Sequence, residues 1–249
     1  MVESRPFMSS SQYLSSINAI FDQILIHETD SIDAASRLCA DAIIAGGVVH
    51  CFGTGHSALH VADAFYRAGG LACLNPIMEP SISVHAGSLI STWMERQSGL
   101  AGLILDRYEL REGEPMIIFS VSGINCVPVE VAAVSRARGL RVIAVTSRAY
   151  CRSVSGAGVR NLLAEADQVI DNHVPPGDAV LTLNGGELRA CPASTMAVAL
   201  IYNLILEGVI RILMDSGVEP PIFASSNLPG APEHNRKLIA QYRHRIRHL

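Results

Sequence analysis

Two short stretches carry the residue types and spacings that could do chemistry. In the first, the mostly apolar residues 48–52 (VVHCF) run straight into Gly53-Thr54-Gly55-His56-Ser57, and a helical pattern follows. A glycine-rich bend between a strand and a helix sets unpaired amides at the positive end of a helix dipole, and that favours an anion. Gly53 and Gly55 allow close approach of the backbone, while Thr54, His56 and Ser57 add donors. Residue 58 is alanine, so the GxGxxG dinucleotide fingerprint is absent, as is the Gly-Lys-Ser/Thr of a Walker loop. Taken alone, the bend also fits a tight turn that binds nothing.

The second stretch changes the balance. Residues 116–139, MIIFSVSGINCVPVEVAAVSRARG, leave a buried strand through Ser120, Ser122, Gly123 and Asn125 and enter a helix with Pro128 in its first turn and Gly139 at its end. Three short hydrogen-bonding side chains around a glycine can wrap a small tetrahedral oxyanion without any cation. A third strand end, VIAVTSRA, offers Thr146 and Ser147. In an open parallel sheet all three junctions fall on the carboxyl edge, where ligands bind.

These residues need elements to hold them there. Residues 9–45 keep an apolar stripe at helical spacing, with Asp30 or Ser31 able to cap a second segment and Gly46-Gly47 ending it. Short apolar runs at 48–52, 71–75, 116–120, 141–145 and 168–172 lack inside-outside alternation, as strands covered on both faces should. Helical patterns at 56–68, 86–100 and 128–138 lie between them. The alternation predicts a parallel sheet flanked by helices. Asn184-Gly185 between two strand-like arms predicts a tight hairpin standing off the main sheet. From Ser194 on, the chain is apolar nearly all round, with Asn203, Glu207, Arg211 and Asp215 on one narrow polar line, as in a central helix or a dimer interface.

Composition narrows the classes. A chain of 249 residues, 49% hydrophobic, can bury one large core, and its net charge of -4 leaves no electrostatic footprint for nucleic acid. The closing RHRIRHL reads as a solvated cationic helix end. Six scattered cysteines without a CxxC pair read as buried free thiols in a reducing compartment. No secretory leader is evident, and the uncharged residues 190–206 are too short and polar for a good membrane span, so a cytoplasmic protein with no membrane partner is expected.

The combination of Ser-x-Ser-Gly-x-Asn after a buried strand, the Gly-Thr-Gly-His-Ser turn, the VTS strand end and STMAVA opening a late helix resembles the sugar isomerase (SIS) domain of phosphosugar isomerases and binding proteins. The likeness spans roughly residues 30–225. More narrowly, FYRAGGLACLNPIMEPSISVHAG, VPPGDAV and GVEPPIFASSN are similar to a bacterial subgroup of single-domain SIS proteins related to sedoheptulose 7-phosphate isomerase and N-acetylmuramic acid 6-phosphate etherase. The resemblance implies an α/β fold, a three-layer αβα sandwich with a five-stranded parallel sheet, with residues 1–46 as a helical extension, 47–225 as the SIS domain and 226–249 as a C-terminal helix. It also implies a homodimer or homotetramer with sites near subunit interfaces, a sugar phosphate as ligand, and no cofactor. Phosphate contacts fall on Ser57, Ser120, Ser122 and Asn125 with the backbone of Gly55 and Gly123; Asn125 stands where many relatives have Thr or Ser.

Aldose-ketose isomerisation needs a base that moves a proton between C1 and C2 and a group that assists ring opening. The sedoheptulose 7-phosphate isomerases carry a catalytic Glu about three turns past the loop serine, and that place is Arg67 here. Glu79, His85 and Glu95 are the remaining candidates, although Glu79 also fits a proline-containing turn and Glu95 an ion pair with Arg96. His56 and His60, four apart with Asp63 a turn later, could hold a metal, but they lack the intervening Glu of a zinc hydrolase, and His60 also fits packing under the sheet; no metal is expected. Asp178 and His173 could line a pocket or merely brace their loop. The expected activity is a sugar-phosphate isomerase, with an amino-sugar-phosphate lyase or deaminase, or a non-catalytic sensor acting through a partner protein, as alternatives.

Overall fold

A computed structural model describes residues 10–156, 158–183 and 185–249. Five parallel strands make the sheet: β1 (Val49–Gly53), β2 (Leu74–Ile77), β3 (Pro115–Phe119), β4 (Arg141–Thr146) and β5 (Gln168–Asp171), in the order β2-β1-β3-β4-β5. Strand residues alternate between two cores. Cys51, Ile117, Phe119, Ile143 and Val145 face one, and Phe52, Met116, Ile118, Val142 and Ala144 face the other. With both faces covered, the strands have no polar side to show, which is why they read as continuous apolar runs.

The first core is closed by α1 (Ser10–His27), α2 (Thr29–Ile44), α3 (Ser57–Ala64) and the long α9 (Ser194–Asp215), the second by α5 (Leu100–Leu105), α6 (Cys126–Ala137) and α8 (Leu162–Glu165). Three further helices complete the set: α4 (Ser88–Met94), α7 (Arg148–Val154) and α10 (Ala231–Tyr242). By length and composition α9 could cross a membrane, but here it lies on α2 with Ala197, Ile201, Ile205, Val209 and Leu213 buried and Asn203, Glu207, Arg211 and Asp215 exposed. Strands β6 (Ala179–Thr182) and β7 (Arg189–Pro192) form a separate antiparallel pair. Leu183 N–H donates to Leu188 O, so the hairpin tip is wider than a two-residue turn; Asn184 lies outside the described residues.

Three departures from the sequence reading have tertiary causes. Residues 70–72 pair with 221–223 instead of joining the sheet, which moves β2 to Leu74–Ile77. Pro76 is tolerated because β2 is an edge strand. The helix expected over 86–100 is only α4, which starts after Gly87 (φ 103°) and ends at Met94, while Gly99 (φ 84°) caps the start of α5; both glycines are in conformations side chains disfavour. Finally, the closing basic stretch is solvated only in part: Arg243 and Arg247 are exposed, but Arg245 is not. Arg245 is 5% exposed and places Nη2 at 2.7 and 3.0 Å from the Glu114 carboxylate, under the amino edge of the sheet.

Glu114 is the centre of that edge. It also accepts from the amides of Val48 (3.1 Å) and Arg111 (3.0 Å) and from His50 Nε2 (2.9 Å), while Asn75 Nδ2 donates to His50 Nδ1 (3.0 Å). Desolvation alone would raise the Glu114 pKa, but its bonds to His50, Arg245 and the Arg111 amide outweigh that and hold it at about 2. Burial keeps His50 below its ordinary value, so it is neutral and donates from Nε2.

Candidate functional site

Gly53 ends β1 because nothing larger fits: a Cβ there would lie 2.5 Å from the Ser57 carbonyl oxygen, in the first turn of α3. Gly55 turns the chain with φ 54°. Its N–H, expected to face a ligand, donates instead to Ile82 O at 2.7 Å, so that amide is occupied. Thr54 is buried and donates from Oγ1 to Glu95 Oε2 at 2.6 Å. His56, exposed, stands at the N-cap of α3, and Ser57 opens the helix half-buried.

At the second junction Gly123 takes φ 66°, and a Cβ would come within 2.8 Å of Thr146 Oγ1. That hydroxyl donates to Val121 O (3.2 Å), and Ser147 N–H donates to the same carbonyl (3.0 Å). Ser147 Oγ donates to Val174 O (2.6 Å) and accepts from Tyr150 N–H (3.0 Å), capping α7. Thr146 and Ser147 are therefore fully buried braces behind the turn, with their hydroxyls already engaged. Asn125 sits at the N-cap of α6, yet its side chain makes no capping bond.

Both turns open on one cavity of about 510 Å³, bordered by Thr54, Gly55, His56 and Ser57 from the first and Ser120, Ser122 and Asn125 from the second. It lies over the carboxyl ends of β1 and β3, where the strand order reverses. Gly53 and Gly123 shape the turns without reaching its wall. Glu95 joins the two sides: its carbonyl accepts from Val127 N–H (3.0 Å) in the first turn of α6, and its carboxylate holds Thr54. Among the described residues the permanent cation on the wall is Arg96, 3.5 Å from the Glu95 carboxylate. Any anion here is thus held by hydroxyls, amides and the dipoles of α3 and α6, each equivalent to roughly half a charge.

The SIS domain description matches residues 12–147. This chain belongs to the SIS domain family. It is 40% identical over 245 residues to a UPF0309 protein of Caldanaerobacter subterraneus, spanning 95% of this chain and 98% of that one. It is 42% identical over 215 residues to a UPF0309 protein of Brucella anthropi, covering 86% and 88%. The SIS fold also aligns with the phosphoheptose isomerase of Neisseria gonorrhoeae at TM-score 0.52 and 14% identity, covering 80% of this chain and 97% of that one. With the NanR protein of Vibrio vulnificus, complexed with ManNAc-6P, the TM-score is 0.52 at 12% identity, covering 92% and 67%.

Of the three acid-base candidates, this SIS site gathers only Glu95. Glu79 accepts from Ser81 N–H (3.3 Å) and Oγ (3.0 Å) and pairs with Arg107, fixing a turn of 3-10 helix. The His85 ring meets Ser83 Oγ at 2.8 Å. Both border a separate cavity of about 190 Å³ lined by Ala58, Val61, Ile77 and Met78. Arg67 is exposed, 2.5 Å from Asp63.

Other groups reach the wall from outside the two turns. Asp178, in a backbone conformation with φ 68°, accepts from the amides of Ala193 (3.1 Å) and Ser194 (2.8 Å) and from Ser194 Oγ (2.7 Å), so it fills the start of α9. The Pro-Pro-Gly-Asp turn was its only sequence signal. His173 lies elsewhere, 3.4 Å from Glu28. His60 follows Ser57 by one turn of α3 and borders the cavity with its ring 5.8 Å from that of Phe119. Burial pushes its pKa down, against the opposing pull of Asp63 and Asp178. Among the described residues no three His, Cys, Asp or Glu side chains gather as a metal would require.

Proposed function

We propose that the cavity binds a sugar phosphate and that the protein is an aldose-ketose isomerase of that class. The observation that carries the reading is the convergence of the two glycine-serine turns on one cavity. Ser57, Ser120, Ser122 and Asn125, with the positive ends of the α3 and α6 dipoles, hold the phosphoryl group. The phosphoheptose isomerase and the ManNAc-6P complex support sugar phosphates as the ligand class of such a fold.

Glu95 is the base. In the open-chain aldose its carboxylate takes the proton from C2, the C–H pair becomes the C1=C2 bond, and the carbonyl pair moves to O1, giving an enediolate. The O2 proton then passes to O1, the O2–H pair forms the ketone C2=O2 bond, and the C1=C2 pair takes the proton back from Glu95 at C1. Thr54 fixes the carboxylate through the 2.6 Å bond.

The test has two parts. Hexose 6-phosphates and heptose 7-phosphates raise the melting temperature, and free sugars do not; equal shifts for free sugars would remove the phosphate site. In heavy water the stabilising ligand exchanges its C2 hydrogen, and Glu95→Gln slows that exchange by about 10²–10⁴. Binding without exchange by the wild-type protein would instead indicate a sensor.

A further inference from the structure

At the amino edge of the sheet one carboxylate serves two basic groups. Glu114, the residue before β3, lies 2.9 Å from His50 Nε2 and 2.7 and 3.0 Å from Arg245 Nη2, and all three residues are buried. While the ring is neutral, the charge of Glu114 answers Arg245 alone. A proton on His50 sets two cations against that one charge, away from water, and one of them has to leave. The ring has a place for the proton. Asn75 Nδ2 donates to His50 Nδ1 at 3.0 Å, while Asn75 Oδ1 is buried without a hydrogen-bond partner among the described residues. Turning that amide over aims Oδ1 at a protonated Nδ1, so the imidazolium is bonded at both nitrogens.

His50 is fixed in β1, between two neighbouring strands, so the group free to leave is Arg245. It belongs to residues 243–249, a strap beyond α10 that is held by the fully buried Ile246, by His248 Nε2 at 3.1 Å from Tyr108 Oη, and by Arg247 on the Arg107 carbonyl. We propose that His50 is a proton-operated switch that releases this strap from the amino edge of the sheet. Burial holds the imidazole below its ordinary value against the pull of Glu114, and Arg245 adds to the effect of burial. The neutral ring therefore belongs to the closed strap, whose hold is full above about 6.5 and weakens as pH falls. Glu114, held at about 2, stays charged through that range. The remaining charges nearby are Glu109, 3.3 Å from Arg245 Nε but exposed, and Arg111, whose guanidinium takes the same Glu109 oxygen at 2.6 Å. Release draws Ile246 from the first core and unties His248 from Tyr108, whose hydroxyl holds the backbone of Met78 just past β2.

Amide exchange of the full chain, read by NMR as protection factors so that the intrinsic effect of pH is removed, tests the switch. The strap reports through the N–H groups of Arg245, Ile246 and Leu249, which donate to Tyr242 O and Ile246 O. Their protection falls about tenfold per pH unit below about 6.5, the slope of one linked proton, while the amides of β3 and β4 keep theirs. His50→Gln, which takes no proton, flattens the slope, and so does Arg245→Met, which removes the competing cation. Joint replacement of the strap's own histidines, His244→Gln with His248→Gln, leaves the slope in place. Flat protection in the wild-type protein from pH 7.5 to about 4.5 overturns the proposal. So does a slope that survives Arg245→Met or His50→Gln, or one that disappears with His244 and His248. Should His50→Gln fail to fold, Arg245→Met decides alone.

Discussion

The two edges of the sheet treat buried polar groups in opposite ways. At the amino edge, Glu114 accepts from His50, Arg245 and two amides, so its carboxylate is filled from within the chain. At the carboxyl edge, Ser57, Ser122, Asn125 and His60 face an open cavity of about 510 Å³, and the strongest polar contact there, Thr54 with Glu95, leaves them unengaged. A buried charge that has lost water needs a partner. The amino edge carries its partner in the chain, and under the proposed function the carboxyl edge leaves that role to a ligand. On that reading the first edge governs stability and the second governs binding.

Removing Glu114 is the strongest way to break that division. Glu114→Ala strands the Arg245 guanidinium in the core and destabilises the fold by about 3–5 kcal/mol. Urea unfolding should show this loss, while the folded fraction binds a sugar phosphate with unchanged affinity. A matching loss of affinity would mean that the two edges are coupled.

Acid should act on the same edge next. The Glu114 carboxyl is held at about 2 against an ordinary 4.5, so its contribution is full above about 4.5 and is lost as pH falls toward 2. The difference corresponds to about 3 kcal/mol. His50, kept neutral in the fold, adds a loss of the same sign that begins below its ordinary 6.5. Stability measured against pH should fall through both windows, and the lower one should vanish in Glu114→Ala.

The smallest effect belongs to the other edge. Ser122→Ala removes one hydroxyl from the proposed phosphate cup, and a hydrogen bond to a charged group contributes about 1.5–3 kcal/mol. Affinity should fall about ten- to hundredfold by calorimetry, with the urea midpoint unmoved. An unchanged affinity would take Ser122 out of the cup.

Much of this molecule was legible from local pattern. The two turns, the strand runs around them and the polar line of α9 are encoded within a few residues of each other, by glycines and by spacing. Even so, a glycine near a ligand can have a purely structural reason. Gly53 and Gly123 avoid Ser57 O and Thr146 Oγ1, and the Gly55 amide is held by Ile82, a residue from a different segment. Thr146 and Ser147 look like donors in the chain, yet their hydroxyls are engaged within the fold.

The sequence by itself determined the sheet, its carboxyl-edge turns and the short polar side chains those turns carry, because turn geometry and apolar period are short-range properties. Only the tertiary structure decided that Glu95, and neither Glu79 nor His85, reaches the cavity, that His60 borders it, and that Arg245 is buried against Glu114. Each of those outcomes depends on which distant element a side chain meets, and a polar group buries or stays exposed according to the partner the fold brings to it.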